Sequence, residues 1–145
     1  MTNKGIERYA TIQVSQPSGV AITSGNLYLF GRGTRVAAGV AAESQPATGT
    51  QPYDSNTAYF TLDMEGAFNL TVKAQTSGSP SAGAQINPGD ALFADGGTYD
   101  ATSGITYGST IDVDTNGTFI GYAMQKLAAG TTGVIQVMLK NSPCN

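Results

Sequence analysis

The chain has 145 residues, the length of a single domain, and only 12% of them are charged, with a formal net charge of −3 at pH 7. Soluble domains average about 25% charged residues, so uncharged polar side chains and glycine must cover much of this surface. The seven Lys and Arg residues are scattered along the chain without forming a basic patch, which argues against nucleic-acid binding.

The N-terminal residues, 1–18, are predicted to form an extended arm ahead of a single β domain over residues 19–145. The arm contains the alternating stretch YATIQV, which places Ile12 and Val14 on one face of a strand and Tyr9 on the other. It has no apolar signal-peptide core, and no run in the sequence approaches the ~20 apolar residues that span a membrane. We therefore expect synthesis in the cytoplasm without ordinary export, and no membrane contact.

Strand patterns follow the arm at short intervals: NLYLF, AYFTLDM, AFNLTVK, DALFAD, STIDVD, TFIGYAM and GVIQVML. Gly, Pro, Asn and Asp turns separate them, which is typical of an all-β protein. We predict a compact antiparallel β-barrel or sandwich of about 8–10 short strands. The best helical candidate, Ala123–Gly130, is too short to be stable without packing, so at most one short helix is expected.

Two stretches interrupt the strand pattern, at Glu43–Asn56 and Gln75–Gln85. Both are small, polar and rich in Pro, Gly and Ser, and strand patterns of the same kind continue on either side. They are predicted to be long surface loops within one domain. Loops of this length are either functional or disordered, and the sequence leaves both possibilities open.

An internal repeat is also indicated. A turn with Gly25-Asn26 and another with Gly89-Asp90 each precede an apolar strand. Later come two similar strands with an internal glycine, AGVA and IGYA, each followed by an alternating strand. Glycine within a strand marks a bulge or a close backbone approach. The repeat predicts two similar sheet units packed together, with chance similarity between glycine-rich strands as the alternative.

The stretch TIDVDTNGTFIGYA, residues 110–123, has features of both a calcium loop and a hairpin. An EF-hand-type loop that starts at Asp112 would need a closing Glu at its last position, where this chain has Ala123. Asn116-Gly117 is instead a strong signal for a type I′ turn between two paired strands. We expect the hairpin, with a looser calcium site on Asp112, Asp114 and Asn116 as the alternative.

Few side chains are suited to catalysis. The absence of histidine excludes Ser-His and Cys-His nucleophilic catalysis and the usual zinc ligand sets. The best carboxylate pair, Asp112 and Asp114, lies on one face of a predicted strand, where solvated acidic side chains need no catalytic role. The one cysteine, Cys144, has no partner for an intrachain disulfide. We predict no enzyme, no catalytic residues, and neither a cofactor nor a metal site.

The order of motifs resembles the small capsid decoration (cement) proteins of tailed bacteriophages. The segments that carry the resemblance are Ser24–Phe30, Gly39–Ala41, Leu62–Phe68, Gly89–Phe93 and Ile120–Leu139. The resemblance implies a β-tulip-like fold and a structural virion protein. It also implies a homotrimer that binds the outer surface of the mature capsid, contacts the major capsid protein and stabilises the shell.

Given this resemblance, the arm is predicted to add as a strand to a capsid subunit or to a neighbouring copy. Main-chain hydrogen bonds would supply affinity, and the side chains of Ile6, Tyr9, Ile12 and Val14 would contact the partner. The alternative is that the same residues form an ordinary edge strand of the domain.

Two further classes of function stay open on the sequence alone. One is a head-fibre-like recognition or adhesion module, which would gather exposed aromatic residues such as Tyr53, Tyr99 and Tyr107 on its loops. The other is a carboxylate-only enzyme or a calcium-dependent module, for which a melting temperature that changes with calcium would be the sign.

Overall fold

The computed structural model describes residues 11–33, 35–48, 58–74 and 85–140. Regular structure within these ranges consists of two antiparallel sheets that do not close into a barrel. The strands are β1 (Thr11–Ser15), β2 (Leu27–Arg32), β3 (Arg35–Ala41), β4 (Tyr59–Asp63), β5 (Gly66–Lys73), β6 (Ala91–Asp95), β7 (Thr98–Asp100), β8 (Ile105–Tyr107), β9 (Thr110–Asp112), β10 (Thr118–Ala123) and β11 (Thr132–Leu139). The predicted all-β fold is therefore confirmed, and the two open sheets are consistent with a sandwich-like arrangement.

The first sheet has the strand order β1-β4-β3-β2-β8-β7, and the second has the order β5-β11-β10-β6-β9. Alternating strands such as YFTLD and GAFNLTVK bury every second side chain, as a half-covered sheet requires. After β6, which lies in the second sheet, the chain forms β7 and β8 in the first sheet and then returns to the second sheet as β9. The chain therefore crosses between the two sheets and links them covalently.

Two hydrophobic clusters form the core. The larger one lies under the second sheet and includes Leu70, Leu92 and Val137. The smaller one lies on one face of the first sheet and includes Phe60 and Leu62. The opposite face of β2 and β3 also contributes to the larger cluster, through the side chains of Leu29, Ala38 and Val40. The first sheet is therefore buried on both faces over β2 and β3, and this double burial joins the halves of the domain.

The structure contains the repeat that the sequence indicated. Strands β1-β4-β3-β2-β8, here called the first unit, occur in the same order as β5-β11-β10-β6-β9, here called the second unit. The register is conserved as well: Ala41 faces Leu62 in the first unit, and Ala123 faces Val137 in the second. The next pair of strands corresponds in the same way: Leu62 faces Ile12 of β1, and Val137 faces Phe68 of β5.

The turns that enter the two units also match. Gly25 and Gly89 both have a positive φ, which glycine adopts at little cost. The N–H of Gly25 donates to the carbonyl of Ala41 at 2.9 Å, and the N–H of Gly89 donates to the carbonyl of Ala123 at 2.7 Å. Isolated bridges close each unit in the same way, between Ile22 and Gln45 and between Ile86 and Leu127.

The predicted hairpin at Asn116-Gly117 is wrong. Strands β9 and β10 do not pair with each other; they flank β6 on opposite sides, so the intervening residues cross from one side of β6 to the other. Gly117 lacks the positive φ of a type I′ turn. A Cβ at Gly117 would lie 2.6 Å from the carbonyl oxygen of Ala94. Glycine is therefore needed at this position because the crossover passes close to the backbone of β6.

The helical candidate Ala123–Gly130 does not form a helix. Ala123 ends β10, and the main chain of Leu127 exchanges hydrogen bonds of 2.9 Å with Ile86. Tertiary pairing thus outweighs a weak local preference. Among the residues that the structure describes, no helix is long and apolar enough to cross a membrane.

The two predicted loops fall largely outside the described residues, which omit 49–57 and 75–84. The beginning of the first loop, residues 43–48, lies against the end of β1. There the side-chain amide of Gln16 donates from Nε2 to the carbonyls of Val20 and Pro46, at 2.8 and 2.9 Å. Gln16 is buried and joins three segments of the first unit.

Candidate interaction surface

The acidic side chains of the crossover between β9 and β10 stabilise the backbone of that loop through hydrogen bonds. Oδ1 of Asp112 accepts a hydrogen bond from the N–H of Asp114 at 2.8 Å, and Oδ1 of Asp114 accepts one from the N–H of Asn116 at 3.0 Å. Such side-chain-to-backbone bonds are how Asp and Asn stabilise turns. The expected pair of solvated carboxylates on one strand face is wrong, because Asp112 is only 4% exposed and Asp114 lies beyond the end of β9.

Asp95, at the end of β6, shares this corner of the sheet. Partial burial raises the pKa of the Asp95 carboxyl, the negative charges of Asp112 and Asp114 raise it further, and Lys73 opposes them. Within the described ranges, no three acidic or cysteine side chains are grouped so that they could hold a metal ion. The carboxylates at this corner of the sheet therefore stabilise the loop through hydrogen bonds, and their negative charges repel one another mildly.

Two of the four predicted contact residues lie in β1. Ile12 and Val14 are half-buried and pack against the smaller core cluster, so their side chains face the domain's own interior. Strand β1 pairs with β4 over its whole length and lies at the edge of the first sheet. Ile6 and Tyr9 lie outside the described residues, and contact between any of the four and a partner stays a prediction.

The tyrosines considered for a recognition module do not gather on a loop. Tyr99 lies in β7 and is exposed, whereas Tyr107 lies in β8 and packs against the smaller core cluster. Because Tyr99 faces Thr106 in the ladder, Tyr99 and Tyr107 point to opposite faces of the sheet. Tyr53 lies outside the described residues.

The outer face of the second sheet carries several apolar side chains that are exposed or only partly buried. Its apolar side chains, here called the outer patch, are Phe93, Phe119, Tyr122, Met124, Val134 and Met138. Val134 is 64% exposed, and Met124 and Met138 are close to 40% exposed. Lone exposed apolar residues are ordinary, but a contiguous group on a sheet face is typical of an interaction site.

Aromatic contacts organise the centre of the outer patch. The rings of Phe93 and Phe119 meet edge to face with centroids 5.8 Å apart, and the rings of Phe119 and Tyr122 do so at 5.3 Å. A β-bulge in β10 produces this arrangement, since the register shifts between Phe119 and Gly121. Ile120 and Gly121 then both face the core, which leaves Phe119 and Tyr122 side by side on the outside.

Sequence reasoning missed this surface, although one signal for it was present. In GVIQVML, Val134 and Met138 lie on the face opposite the buried Ile135 and Val137, with Gln136 between them. Large apolar side chains that recur on the outer face of a strand are a signal for an interaction site. Here the outer face is uncovered within the described part of the chain.

Comparison with known protein families identifies a match over nearly the whole chain. The model of the family described as phage cement protein matches residues 6–139, nearly the whole chain. No curated protein and no solved structure shows a significant match. The matched range includes both units and every element of the outer patch.

Proposed function

Because this chain belongs to the phage cement protein family, we propose that it binds the outer surface of the mature capsid of a tailed phage and stabilises the shell. Phage cement proteins are a structural family and components of the virion. The match over both units of the fold is the observation that carries the proposal. In the proposal the protein is made in the host cytoplasm, contacts the major capsid protein and acts as a homotrimer.

The proposed capsid contact is the N-terminal region, with Ile6, Tyr9, Ile12 and Val14 as its residues. Support comes from the position of β1 at the sheet edge, where it pairs with β4 on one side. An edge strand offers main-chain donors and acceptors to an added strand. Since the side chains of Ile12 and Val14 pack against the smaller core cluster, these two residues contribute their main chain to the proposed contact, along the open edge of β1.

Co-sedimentation with expanded, undecorated phage heads tests the proposal. The full chain is compared with a variant lacking residues 1–15, which removes β1 and its open edge, and with a Thr71→Ala variant changed on the exposed face of β5 as a control. We expect the full chain and the control to co-sediment, and the truncated chain to remain in the supernatant. If the full chain does not bind, the capsid proposal fails; if the folded, truncated chain binds equally well, only the N-terminal contact fails.

A further inference from the structure

The hairpin of β2 and β3 brings two arginines face to face. Arg32 ends β2, Arg35 begins β3, and the two residues lie directly opposite each other in the ladder. Both side chains are exposed. Like charges that lie directly opposite each other destabilise an antiparallel pair of strands, so this pair of charges opposes the hairpin that carries it.

Neither charge is neutralised within the part of the chain that the structure describes. There, Arg32 and Arg35 form no ion pair with a carboxylate. The acidic residues in and just before β7 interact with other groups. Burial and neighbouring acids raise the pKa of Asp95, and the cation that opposes them is Lys73. The pKa of Asp100 is held below its ordinary value by hydrogen bonds, above all from a serine hydroxyl in the turn that follows it. A carboxylate from outside the domain can therefore approach the two arginines without breaking an existing ion pair.

An exposed aromatic ring lies beside the arginine pair. Tyr99 belongs to β7, the edge strand of the first sheet, and is 41% exposed. Cζ of Arg32 lies over this ring, 6.0 Å from its centroid, in a cation–π contact. Together with Trp, Arg and Tyr are the residue types that most often carry the binding energy of protein interfaces.

Backbone and side-chain hydrogen bonds hold these groups in place. The N–H of Gly31 donates to the carbonyl of Gly104 at 3.0 Å, which fixes the end of β2 beside the turn between β7 and β8. Ser103 braces that turn, since its N–H and its hydroxyl donate to Oδ2 of Asp100 at 2.9 and 2.6 Å. The two guanidinium groups and the ring are therefore presented by paired strands and a braced turn, and such preorganisation reduces the cost of binding.

We propose that Arg32, Arg35 and Tyr99, here called the arginine site, bind an acidic segment of another protein. Carboxylates of that segment accept hydrogen bonds from the two guanidinium groups, whose planar fork matches a carboxylate bidentately. The partner thereby supplies the counter-charge that the arginines lack within the described domain.

Nucleic acid is a poorer fit for the arginine site. Affinity for nucleic acid comes from neutralising a row of phosphates, whereas this site offers two cations on a chain of net charge −3. The inference goes beyond the capsid proposal, and it does not use the N-terminal region.

Titration of the full, isotopically labelled chain with a tetraglutamate peptide of blocked ends tests the inference, with backbone amide chemical shifts as the readout. We expect shift changes at the β2–β3 turn and in β7, and weaker binding as salt is added, because salt screens exposed charges. The double variant Arg32→Gln with Arg35→Gln should lower the affinity at least about 10-fold. Lys73→Gln with Lys126→Gln removes the same total charge elsewhere and should lower the affinity less than about 3-fold.

The single variant Arg35→Gln separates binding from folding. Because it removes one of two opposed like charges, it should weaken peptide binding and leave the melting temperature unchanged or slightly raised. A fall in melting temperature would show that the pair stabilises the domain itself, and it would overturn the inference. Shift changes spread evenly over the lysines, or an unchanged affinity of the double variant, would do the same.

Two further probes identify the chemistry of the partner. Tighter binding of inorganic phosphate, or of a single-stranded DNA of the same charge as the peptide, at the arginine site would overturn the assignment to a protein carboxylate. None of these measurements uses phage heads. Loss of this inference therefore leaves the capsid proposal standing, and heads that fail to bind the full chain leave the arginine site standing.

Discussion

Replacing Gly121 by alanine tests whether the bulge in β10 depends on the absence of a side chain. A Cβ at Gly121 would overlap the carbonyl oxygen of Met138 on the neighbouring strand. That oxygen belongs to the backbone of β11, where Gly121 faces Leu139 in the ladder. The backbone can move away only by loosening the pairing of β10 with β11, so the strain has no inexpensive release.

The magnitude follows from the cost of overpacking. Added methyl groups in packed sites cost about 1–3 kcal/mol, and the upper end applies because the obstacle is backbone. Alanine also reduces the entropy of the unfolded chain, which returns about 0.4–1 kcal/mol. We therefore expect a net loss of roughly 2–3 kcal/mol. For about 150 residues each kcal/mol shifts the melting temperature by about 2–4 °C, so a fall of roughly 4–12 °C is expected.

Gly133→Ala on the adjacent strand is the matched control. Its Cβ would lie 3.0 Å from Cδ1 of Leu127, the end of a flexible side chain that can shift. Urea unfolding followed by circular dichroism, at one fixed protomer concentration, compares both variants with the unchanged chain. A loss at Gly121 no larger than the loss at Gly133 would refute the reasoning about the bulge.

Three other measurements test separate parts of the structure. Gln16→Leu leaves the carbonyls of Val20 and Pro46 without their side-chain donor and should cost about 2 kcal/mol in urea unfolding. Gln13→Leu, on the exposed face of β1 just before Gln16, should cost far less. Burial and the charges of Asp112 and Asp114 raise the pKa of Asp95. The native state therefore binds a proton at the Asp95 carboxyl more tightly than the unfolded state does. As a result, the free energy of unfolding falls as the pH rises through the window above the ordinary value of 3.8. Asp95→Asn should therefore stabilise at pH 7 by less than about 1 kcal/mol, with the gain gone when unfolding is measured below about pH 3. Calcium followed by chelator should leave the melting temperature unchanged, because the Asp112 and Asp114 oxygens accept bonds from the loop's own amides; a calcium-dependent rise would contradict that assignment.

Period-two patterning was sufficient to predict the all-β class and most of the strands, because burial of alternate side chains is a local property. The three-residue strands β7 and β8 were missed, because they are too short to show a period of two. The hairpin failed for the opposite reason. Asn116-Gly117 is a strong local turn signal, but the partner of both flanking strands is β6, whose pairing depends on contacts distant in sequence. The burial of Asp112, which is 4% exposed, was likewise missed, because Asp112 pairs with Phe93 of β6 and not with a residue of β10.

The outer patch could not be predicted by alternation, even though its residues are conspicuous in the sequence. The bulge at Ile120 puts two consecutive residues on the core side, so Phe119 and Tyr122 share a face that a strict period of two would assign differently. Packing against the other unit decides which face of a strand is buried. Pairs such as Leu29 and Phe93 become comparable only once the strand registers are known.

Duplication places the same sheet face of the two units in different surroundings. In the first unit this face carries Leu29, Ala38 and Val40, which are buried in the larger core cluster. In the second unit the corresponding positions carry Phe93, Phe119 and Tyr122, which are only partly buried. Because aromatic rings in edge-to-face contact bury part of their apolar surface against one another, the contacts of Phe119 with Phe93 and with Tyr122 shield a sheet face that no described strand covers.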